Sequence, residues 1–349
     1  MLSPVSNPPN PWLDTAVEWI GEPPPARLKV FVDATREILS RNDSPDLPFS
    51  WSVNPYRGCL HGCAYCYARP THEYLGFGAG TDFERNIVIK PEAPSLLARA
   101  FSRKSWRGEH IVLSGNTDCY QALEASYRLT RGCLEVCLAH RNPVAIITKS
   151  PLVERDLDLL TALDRVARVR VTLSVPFADD AHARALEPYV PPPGRRIETI
   201  RRLAEAGIAV GVNVAPIIPG LSDEEMPRVL ERARAAGARW AGFTMLRLPG
   251  PVELVFEERL RTKLPDRADR VLGRVEETRG GRRYDPRFGH RMRGEGPYAE
   301  AIAALFSASC ARLGFEEGMG RADPIDGRPL VDPAVPSTPA GAQLELFGR

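Results

Sequence analysis

Residues 54–69 read Asn-Pro-Tyr-Arg-Gly-Cys-Leu-His-Gly-Cys-Ala-Tyr-Cys-Tyr-Ala-Arg and place three thiols, Cys59, Cys63 and Cys66, in one short stretch. Three thiolates at these intervals can wrap one compact metal centre, and thiolate is a ligand that both zinc and iron–sulfur clusters accept. In a four-iron cluster, three local thiolates leave one iron without a protein ligand. Such an open iron is a site for chemistry as well as for electron storage.

The same stretch resembles the cluster-binding signature of the radical SAM enzymes, in which S-adenosylmethionine (SAM) chelates the fourth iron. Tyr65, the aromatic residue before the last cysteine, fits that signature, and the wider stretch is similar to the branch grouped with spore photoproduct lyase. The alternative is a zinc site with His61 or His72 as the fourth ligand. Zinc sites more often pair two Cys or Cys/His hooks at a distance, and no second hook is evident. The resemblance implies two cofactors, a [4Fe-4S] cluster and SAM.

The composition is ordinary for a soluble globular protein, with 43% hydrophobic and 26% charged residues in a chain of 349. Seven cysteines, an odd number with three clustered, do not form a secreted disulfide scaffold, so we expect a reducing compartment. Residues 1–25 lack the basic-then-apolar pattern of a signal peptide. No apolar run approaches the length of a bilayer span. These features predict a cytoplasmic protein without a membrane partner.

Apolar, β-rich segments alternate with helical patterns, which is typical of a parallel sheet covered by helices. The predicted strands are 49–54, 110–114, 144–148, 169–175, 208–217 and 240–246, and the predicted helices are 33–39, 120–140, 152–167, 195–206 and 223–236. Ser222 and Glu225 form a capping-box pattern before the last of these helices. The pattern alone leaves a doubly wound sheet open. The family resemblance implies an α/β fold of another kind, the partial (β/α)6 TIM-type barrel of the radical SAM core.

Four regions are predicted along the chain: a proline-rich N-terminal extension (1–48), the radical SAM core barrel (49–265), a basic C-terminal extension (266–330) and a disordered tail (331–349). The tail ends in a glutamine followed by leucines and a phenylalanine. This ending resembles the peptide by which bacterial replication and repair proteins dock on the sliding clamp. It predicts clamp binding through Gln343, Leu344, Leu346 and Phe347. The alternative is that the tip packs on its own barrel.

Ligands of parallel β/α folds bind at the carboxyl ends of the strands, and polar residues follow several predicted strands here. By resemblance, the methionine amino group of SAM falls to Asn116, Thr117 and their neighbour Asp118. The alternative is that Thr117 or Asp118 caps the next helix. The remaining cofactor contacts implied by the resemblance are Tyr65 in the cysteine loop, Lys149 for the carboxylate, Ser174 for the ribose and Ile217 for the adenine. For Lys149 and Ser174 the alternative is a side chain that simply reaches solvent.

The chemistry implied by the resemblance is reductive cleavage of SAM to a 5′-deoxyadenosyl radical, which requires an electron donor such as flavodoxin or ferredoxin. Replacing any of the three loop cysteines is expected to abolish the cluster. Spore photoproduct lyase returns a hydrogen atom through a cysteine near the radical, but this chain has Asn116 at the nearest match and Cys119 three residues later. The lyase reaction therefore does not carry over with the scaffold, and no catalytic residue is assigned. Cys133, Cys137 and Cys310 fit core positions.

Basic charge is concentrated between Arg259 and Arg293, where twelve Lys/Arg stand against five Asp/Glu. Arginine interleaved with aromatic residues suits a phosphate backbone with bases to stack on. The stretch predicts nucleic-acid contact through Arg279, Arg282, Arg283, Arg287 and Arg291, with a solvated surface as the alternative. The resulting hypothesis is a radical SAM enzyme acting on nucleic acid. Two rival hypotheses are a radical SAM enzyme with a protein, peptide or small-molecule substrate, and a non-catalytic metal-bound adaptor for DNA or the clamp.

Overall fold

The structure of the chain is a computed structural model that describes residues 27–316. Its strands are β1 (Lys29–Val32), β2 (Leu39–Arg41), β3 (Trp51–Val53), β4 (Tyr56–Arg57), β5 (Asn86–Ile89), β6 (Ile111–Leu113), β7 (Val144–Thr148), β8 (Val169–Ser174), β9 (Ala209–Ile217) and β10 (Trp240–Met245). The clamp-like peptide at 343–347 and the predicted tail at 331–349 lie outside the described residues.

The helices connect these strands, and the main hydrophobic core lies between some of them and the larger sheet. They are α1 (Thr81–Arg85), α2 (Ala93–Phe101), α3 (Glu124–Tyr127), α4 (Leu129–His140), α5 (Leu157–Asp164), α6 (Asp180–Leu186), α7 (Pro193–Glu205), α8 (Met226–Ala235), α9 (Val252–Lys263), α10 (Pro265–Glu277) and α11 (Pro297–Leu313). Two short 3-10 helices span Arg69–Leu75 and Pro151–Asp156. None of the helices within residues 27–316 combines the length and the apolar character that a bilayer span needs.

The larger sheet has seven strands in the order β10-β9-β8-β7-β6-β3-β2. Six of them, β3 and β6 to β10, pair in parallel, and β2 pairs antiparallel with β3. The parallel strands follow one another in chain order, whereas a doubly wound sheet reverses its order at a switch point. In the described part of the chain no pairing joins β2 to β10, so the sheet is open. The α/β fold with six parallel strands is confirmed, as a partial rather than a closed barrel.

Alternation along the strands separates the core from the opposite face of the sheet. In β8, Val169, Val171 and Leu173 pack in the main hydrophobic core, because side chains two residues apart share a face. The intervening residues face the other way, and Arg170 stacks there over the ring of Trp240 at 5.3 Å. The second face therefore carries the polar side chains of the strand, up to the carboxyl end where ligands are expected.

Two short strands flank residues 33–38, where the sequence predicted a helix. The helix predicted at 33–39 is wrong, because residues 33–38 are irregular and the chain then enters β2 at Leu39. Upstream of it, β1 pairs in parallel with β5, and β4 completes this three-stranded sheet on the other side. Residues 27–41 therefore contribute an edge strand to each of the two sheets.

Two helix starts also differ from their predictions, and in each case the cause is a hydrogen bond accepted by a glutamate carboxylate. The helix predicted at 120–140 is divided into α3 and α4 at Arg128, which has a φ of 54°. The Glu124 carboxylate accepts the N–H of Thr130 at 2.9 Å and so begins α4 anew. The capping box before α8 does not form, because the Glu225 carboxylate accepts the N–H groups of Ala178 and Asp179, both at 2.6 Å.

Candidate metal centre and cofactor site

The cysteine loop follows β4 and is held from three directions before any metal is considered. Gly58 has a φ of 76°, and a Cβ at this position would lie 2.8 Å from both His72 Cε1 and the carbonyl oxygen of Phe83. The Gly58 carbonyl accepts hydrogen bonds from the Thr117 hydroxyl at 2.6 Å and from the Gln121 amide at 3.1 Å. Only glycine fits this conformation and this close approach. Cys59, the first thiol, is fixed by the same contacts.

A buried arginine holds the backbone of Cys63, the second cysteine of the loop. Arg69 is fully buried, and its Nε and Nη2 donate to the Cys63 carbonyl at 3.0 and 2.8 Å. Its Nη1 donates to the carbonyls of Ala79 and Gly80, and Nη2 also reaches Glu84 Oε1 at 2.6 Å. The guanidinium N–H groups thus donate to backbone carbonyls around the thiols, and Glu84 neutralises the positive charge. The loop conformation is set by protein contacts.

Within residues 27–316, the three loop thiols do not all lie within 4.8 Å of one another. In a tetrahedral zinc site with Zn–S bonds of about 2.3 Å, the ligand sulfurs stand roughly 3.8 Å apart. Among residues 27–316, one group of three His, Cys, Asp or Glu has all its ligand atoms within 4.8 Å, and it is Asp285, His290 and Glu295. Over the same residues, no set combining the loop thiols with one another or with His61 or His72 meets that limit. The zinc alternative is therefore disfavoured, and the all-thiolate donor set fits an iron–sulfur cluster.

Burial at the loop disfavours uncompensated thiolates. Burial, together with the charge of Glu187, raises the pKa of Cys63 well above its ordinary value, and burial also raises that of Cys66. Thiolates here therefore need the positive charge of metal ions beside them. Burial opposes the charged form of His61, but the charges of Cys59 and Asp118 raise its pKa to about 10. Against the burial of Asp118, His61 lowers the pKa of that carboxyl to about 2.

The residues predicted to hold the methionine amino group differ in whether their side chains already have hydrogen-bond partners. Asn116 has an exposed side chain, and its backbone N–H donates to Asn54 Oδ1 at 3.0 Å. Thr117 is buried with its hydroxyl bonded to the cysteine loop. Asp118 accepts from the Thr148 hydroxyl at 2.6 Å, and from the backbone N–H of the residues at 149 and 120. Neither Thr117 nor Asp118 caps the next helix, since α3 begins at Glu124 without a side-chain cap, and Asn116 keeps an exposed side chain.

A buried ion pair joins three of the predicted cofactor contacts. Glu187 Oε2 lies 2.6 Å from Arg196 Nη2, and neither side chain is exposed. Glu187 Oε1 accepts from the Tyr65 hydroxyl and lies 3.8 Å from Lys149 Nζ. The Nη1 of Arg196 donates to the Ser174 carbonyl at 2.8 Å. The structure therefore brings Tyr65, Lys149 and Ser174 together, through two residues that the sequence prediction did not include.

One signal for the missed pair is present in the sequence. Arg196 lies on the same face of α7 as Ile200 and Leu203, which are fully buried in the main core. A charged residue on an apolar face must find a buried partner, because an isolated charge in the protein interior is very unfavourable. The sequence does not indicate which carboxylate supplies the partner. Glu187 comes from the end of α6, a different element.

The segment predicted to lie beside the adenine follows a cis Ala215–Pro216 bond at the end of β9. Ile217 is fully buried in the main core, so its side chain offers no surface to a ligand in this structure. Lys149, which follows β7, extends its Nζ across β8 to within 3.5 Å of the Ala215 carbonyl in β9.

The basic C-terminal stretch is less available than its composition predicted. Arg279 is wrong as a nucleic-acid contact, because it is only 3% exposed and its guanidinium donates to the carbonyls of Leu246, His290 and Arg291. Arg283 pairs with Glu253, Glu257 and Glu276. Arg287 pairs with Asp285 and Glu295, and Arg291 with Asp46. Arg282 is exposed. Most of the positive charge is therefore balanced locally.

Comparison with known proteins gives one family and a consistent fold. The model described as the radical SAM superfamily matches residues 53–233. An uncharacterized protein of Mycobacterium tuberculosis is 40% identical over 206 residues, 58% of this chain and 61% of the relative. An uncharacterized protein of Methanocaldococcus jannaschii is 32% identical over 173 residues, 50% of this chain and 62% of the relative. The matches thus span less than two thirds of these relatives.

Among solved structures, "Spore photoproduct lyase complexed with dinucleoside spore photoproduct" is similar with a TM-score of 0.57 and 16% identity, over 81% of this chain and 78% of the lyase. A second solved structure, of a spore photoproduct lyase with a single substitution, gives the same TM-score and coverage with 19% identity. At this identity the similarity describes the fold. It extends over most of the described residues, beyond the region matched by the family model.

Proposed function

The chain belongs to the radical SAM superfamily, and we propose that it binds a [4Fe-4S] cluster and SAM, cleaves SAM reductively and acts on nucleic acid. The observation that carries the proposal is the cysteine loop, whose backbone is held by Arg69 at Cys63 and by the contacts of Gly58 beside Cys59. When bound, the cluster supplies the electron that breaks the C5′–S bond of SAM and yields a 5′-deoxyadenosyl radical. Cys59, Cys63 and Cys66 are the proposed ligands.

The residues around the loop have separate tasks in this proposal. Lys149 provides the cation for the SAM carboxylate, and Glu187 keeps its ammonium and the Tyr65 ring in place. Asn116 contacts the amino group through its exposed side chain. Ser174 lies at the end of β8 and is proposed to contact the ribose. The buried walls formed by the two cores exclude water from the reacting atoms.

The nucleic-acid substrate is proposed on two grounds. The fold extends over most of a lyase whose solved structure holds a dinucleoside lesion. Arg282 in the basic stretch also remains exposed, although its neighbours are paired. The lyase's own reaction is not proposed, because Cys119 is fully buried in the main core with its thiol directed at the Leu113 carbonyl at 3.8 Å. A cysteine there cannot return a hydrogen atom to a substrate at the strand ends.

One observation favours the second candidate, a radical SAM enzyme with a protein, peptide or small-molecule substrate. The carboxylates of Asp46, Glu257 and Asp285 balance the arginines of the C-terminal stretch, so the positive excess predicted there for nucleic acid is reduced. An electron donor of the flavodoxin or ferredoxin class stays part of either proposal, since the cleavage consumes an electron.

Anaerobic reconstitution tests the proposal. Wild-type protein with iron, sulfide, dithionite and SAM is expected to release 5′-deoxyadenosine, and Cys63→Ala is expected to release none. Cys137→Ala serves as the matched control, because this thiol lies in the main core away from the loop. Stimulation of the yield by DNA or RNA supports the nucleic-acid substrate. A protein that incorporates zinc without sulfide, or that leaves SAM intact, contradicts the enzyme proposal.

A further inference from the structure

Arg247 lies at the carboxyl edge of the sheet, directly beyond β10. The N–H of Leu246 donates to the Ile217 carbonyl at 2.9 Å, which keeps the chain beside β9 up to this point. The Arg247 guanidinium stacks over the ring of Tyr67 with 5.0 Å between its Cζ and the ring centroid. Tyr67 follows Cys66, and its hydroxyl donates to the Gly115 carbonyl after β6. Arg247 therefore stands beside the cysteine loop, at the mouth of the proposed site.

The guanidinium of Arg247 has no carboxylate partner in the described part of the chain. Its Nη1 approaches Met292 Sδ at 3.7 Å, a weak acceptor, and its Nε is buried without any acceptor. Asp46, whose charge interacts with that of Arg247, is already bonded to the Gly289 N–H at 2.7 Å and to Arg291. This cation thus differs from Arg291, whose charge is balanced by a direct ion pair.

We propose that Arg247, stacked on Tyr67, binds a phosphate group of the substrate at the mouth of the site. The assignment of that phosphate to a nucleic-acid strand rests on the proposed function. The Arg247 guanidinium lies over the Tyr67 ring and makes no ion pair in the described part of the chain, and a planar guanidinium fork matches the oxygens of a phosphodiester. Tyr67 is 46% exposed, so the site opens to solvent. The unpaired charge is retained because the ligand supplies its counter-charge.

The two cations at the mouth are suited to different anions. Lys149 is a point charge that already lies 3.8 Å from Glu187 and reaches toward the Ala215 carbonyl, deep among the strand ends. Arg247 is outside it, against an exposed ring. The inner cation suits the carboxylate of SAM and the outer one suits a strand that enters from solvent. A phosphate held at Arg247 positions the adjoining nucleotide over the strand ends.

The test is the salt dependence of oligonucleotide binding by full-length holoprotein. Fluorescein-labelled single-stranded DNA is titrated under anaerobic conditions at several salt concentrations, with anisotropy as the readout. Arg247→Gln is expected to weaken binding about tenfold, because a charge-assisted hydrogen bond is lost. The slope of log affinity against log salt is expected to fall by roughly 0.7, the value for one phosphate contact on a single strand.

Two further variants separate the site from general electrostatics. Arg312→Gln removes an equally positive side chain on α11, where it pairs with Glu231, and is expected to leave affinity and slope near the wild-type values. Arg247→Lys retains the charge but loses the fork, so we expect weaker binding with the slope preserved. Circular dichroism and thermal unfolding of each variant confirm that it is folded.

Three outcomes overturn the proposal. In the first, Arg247→Gln and Arg312→Gln behave alike. In the second, Arg247→Gln weakens SAM binding, measured by calorimetry, and leaves oligonucleotide binding unchanged, which assigns the anion to the SAM carboxylate. In the third, wild-type protein binds no oligonucleotide. Release of 5′-deoxyadenosine by the same wild-type preparation is measured separately, so a failure of the phosphate site is distinguished from a failure of the radical chemistry.

Discussion

Glu187 and Arg196 form an ion pair with 2.6 Å between the carboxylate and the guanidinium, and both side chains are completely buried. The pair joins α6 to α7 and, through its other atoms, contacts the Tyr65 hydroxyl and the Ser174 carbonyl. A buried pair of this kind gains little net stability over a well-packed apolar replacement, because both charges lose their hydration. Its value in this protein is that it fixes residues of the cysteine loop and of β8 relative to each other.

Breaking this pair on one side is expected to destabilise the fold strongly. Arg196→Met removes the direct partner of the buried Glu187 and leaves Lys149, at 3.8 Å, as its remaining cation, so we expect the free energy of unfolding to fall by about 3 kcal/mol. The double variant Glu187→Gln/Arg196→Met removes both charges and is expected to recover part of that loss. Urea unfolding of the three proteins, followed by circular dichroism under reducing conditions, measures both values. A double variant less stable than Arg196→Met contradicts the expectation.

The loop cysteines and the core cysteines are expected to separate cleanly in cluster assembly. Replacing Cys59, Cys63 or Cys66 by alanine removes one thiolate of three, so reconstituted protein should lose the visible absorbance of an iron–sulfur cluster together with its iron and acid-labile sulfide. Cys133→Ala is the control, because this thiol lies on α4 and is buried in the main core. It should retain a full cluster with a small loss of stability. Equal cluster content in both kinds of variant is the opposing outcome.

Two glycines with nearly the same φ isolate the effect of crowding behind the cysteine loop. Gly76 has a φ of 77° and nothing within 4 Å of an added Cβ, whereas at Gly58, with a φ of 76°, a Cβ meets His72 and Phe83 at 2.8 Å. Gly76→Ala is expected to cost about 1–2 kcal/mol from backbone strain. Gly58→Ala should cost a further ~1–3 kcal/mol from overpacking.

Denaturant unfolding of the two glycine variants gives the stability difference directly. Iron content after reconstitution is the second readout, because Gly58 adjoins Cys59 and Gly76 does not adjoin any thiol. We expect Gly58→Ala to bind less cluster than Gly76→Ala. Similar losses of stability and equal iron content in the two proteins would show that the close approach at Gly58 does not constrain the loop.

The pair between His182 and Glu225 is expected to make stability depend on pH. His182 Nδ1 lies 2.6 Å from Glu225 Oε1, and this hydrogen bond raises the pKa of His182 above its ordinary value. A histidine with a raised pKa in the folded state adds stability that is fully present below its unfolded pKa of about 6.5. That stability is lost as the pH rises through the folded pKa.

His182→Gln therefore has a pH-dependent cost. We expect it to lower the free energy of unfolding by about 1 kcal/mol near pH 6, a magnitude typical of a partly exposed pair. The difference from wild type should be smaller at pH 9 than at pH 6, because the stability that the charged histidine adds is lost as the pH rises through its raised folded pKa. Urea titrations at the two pH values measure it. A cost that is constant or that grows with pH contradicts the assigned role of the charged pair.

The strands were predictable because the residue pattern that favours them lies within each strand. β7 spans Val144–Thr148 as predicted, since a run of valine and isoleucine between polar residues has few other structures open to it. β8 and β10 each end one residue before their predicted limits. The division of the helix predicted at 120–140 was not predictable, because the Glu124 carboxylate that caps the N–H of Thr130 also accepts from Tyr56 and Arg155, which are distant in sequence.

The sequence indicated the candidate metal ligands of the site more fully than the residues that hold the site together. The three cysteines stand together in sequence, so their spacing alone indicates a metal centre. Glu187 and Arg196 meet through the packing of two helices, which no spacing in the sequence reports. The prediction of nucleic-acid contact at Arg279, made from the charge of the C-terminal stretch, was wrong for a related reason. Composition counts Arg279 as surface charge, but the fold places it among backbone carbonyls.

Arg69 bonds the backbone around the thiols to itself, to Glu84 and to the loop at 79–80, and none of these bonds involves iron. Because these bonds are made by the protein alone, we expect the loop to keep its conformation when oxygen destroys a bound cluster. Added iron and sulfide should then restore the cluster in vitro without refolding of the chain.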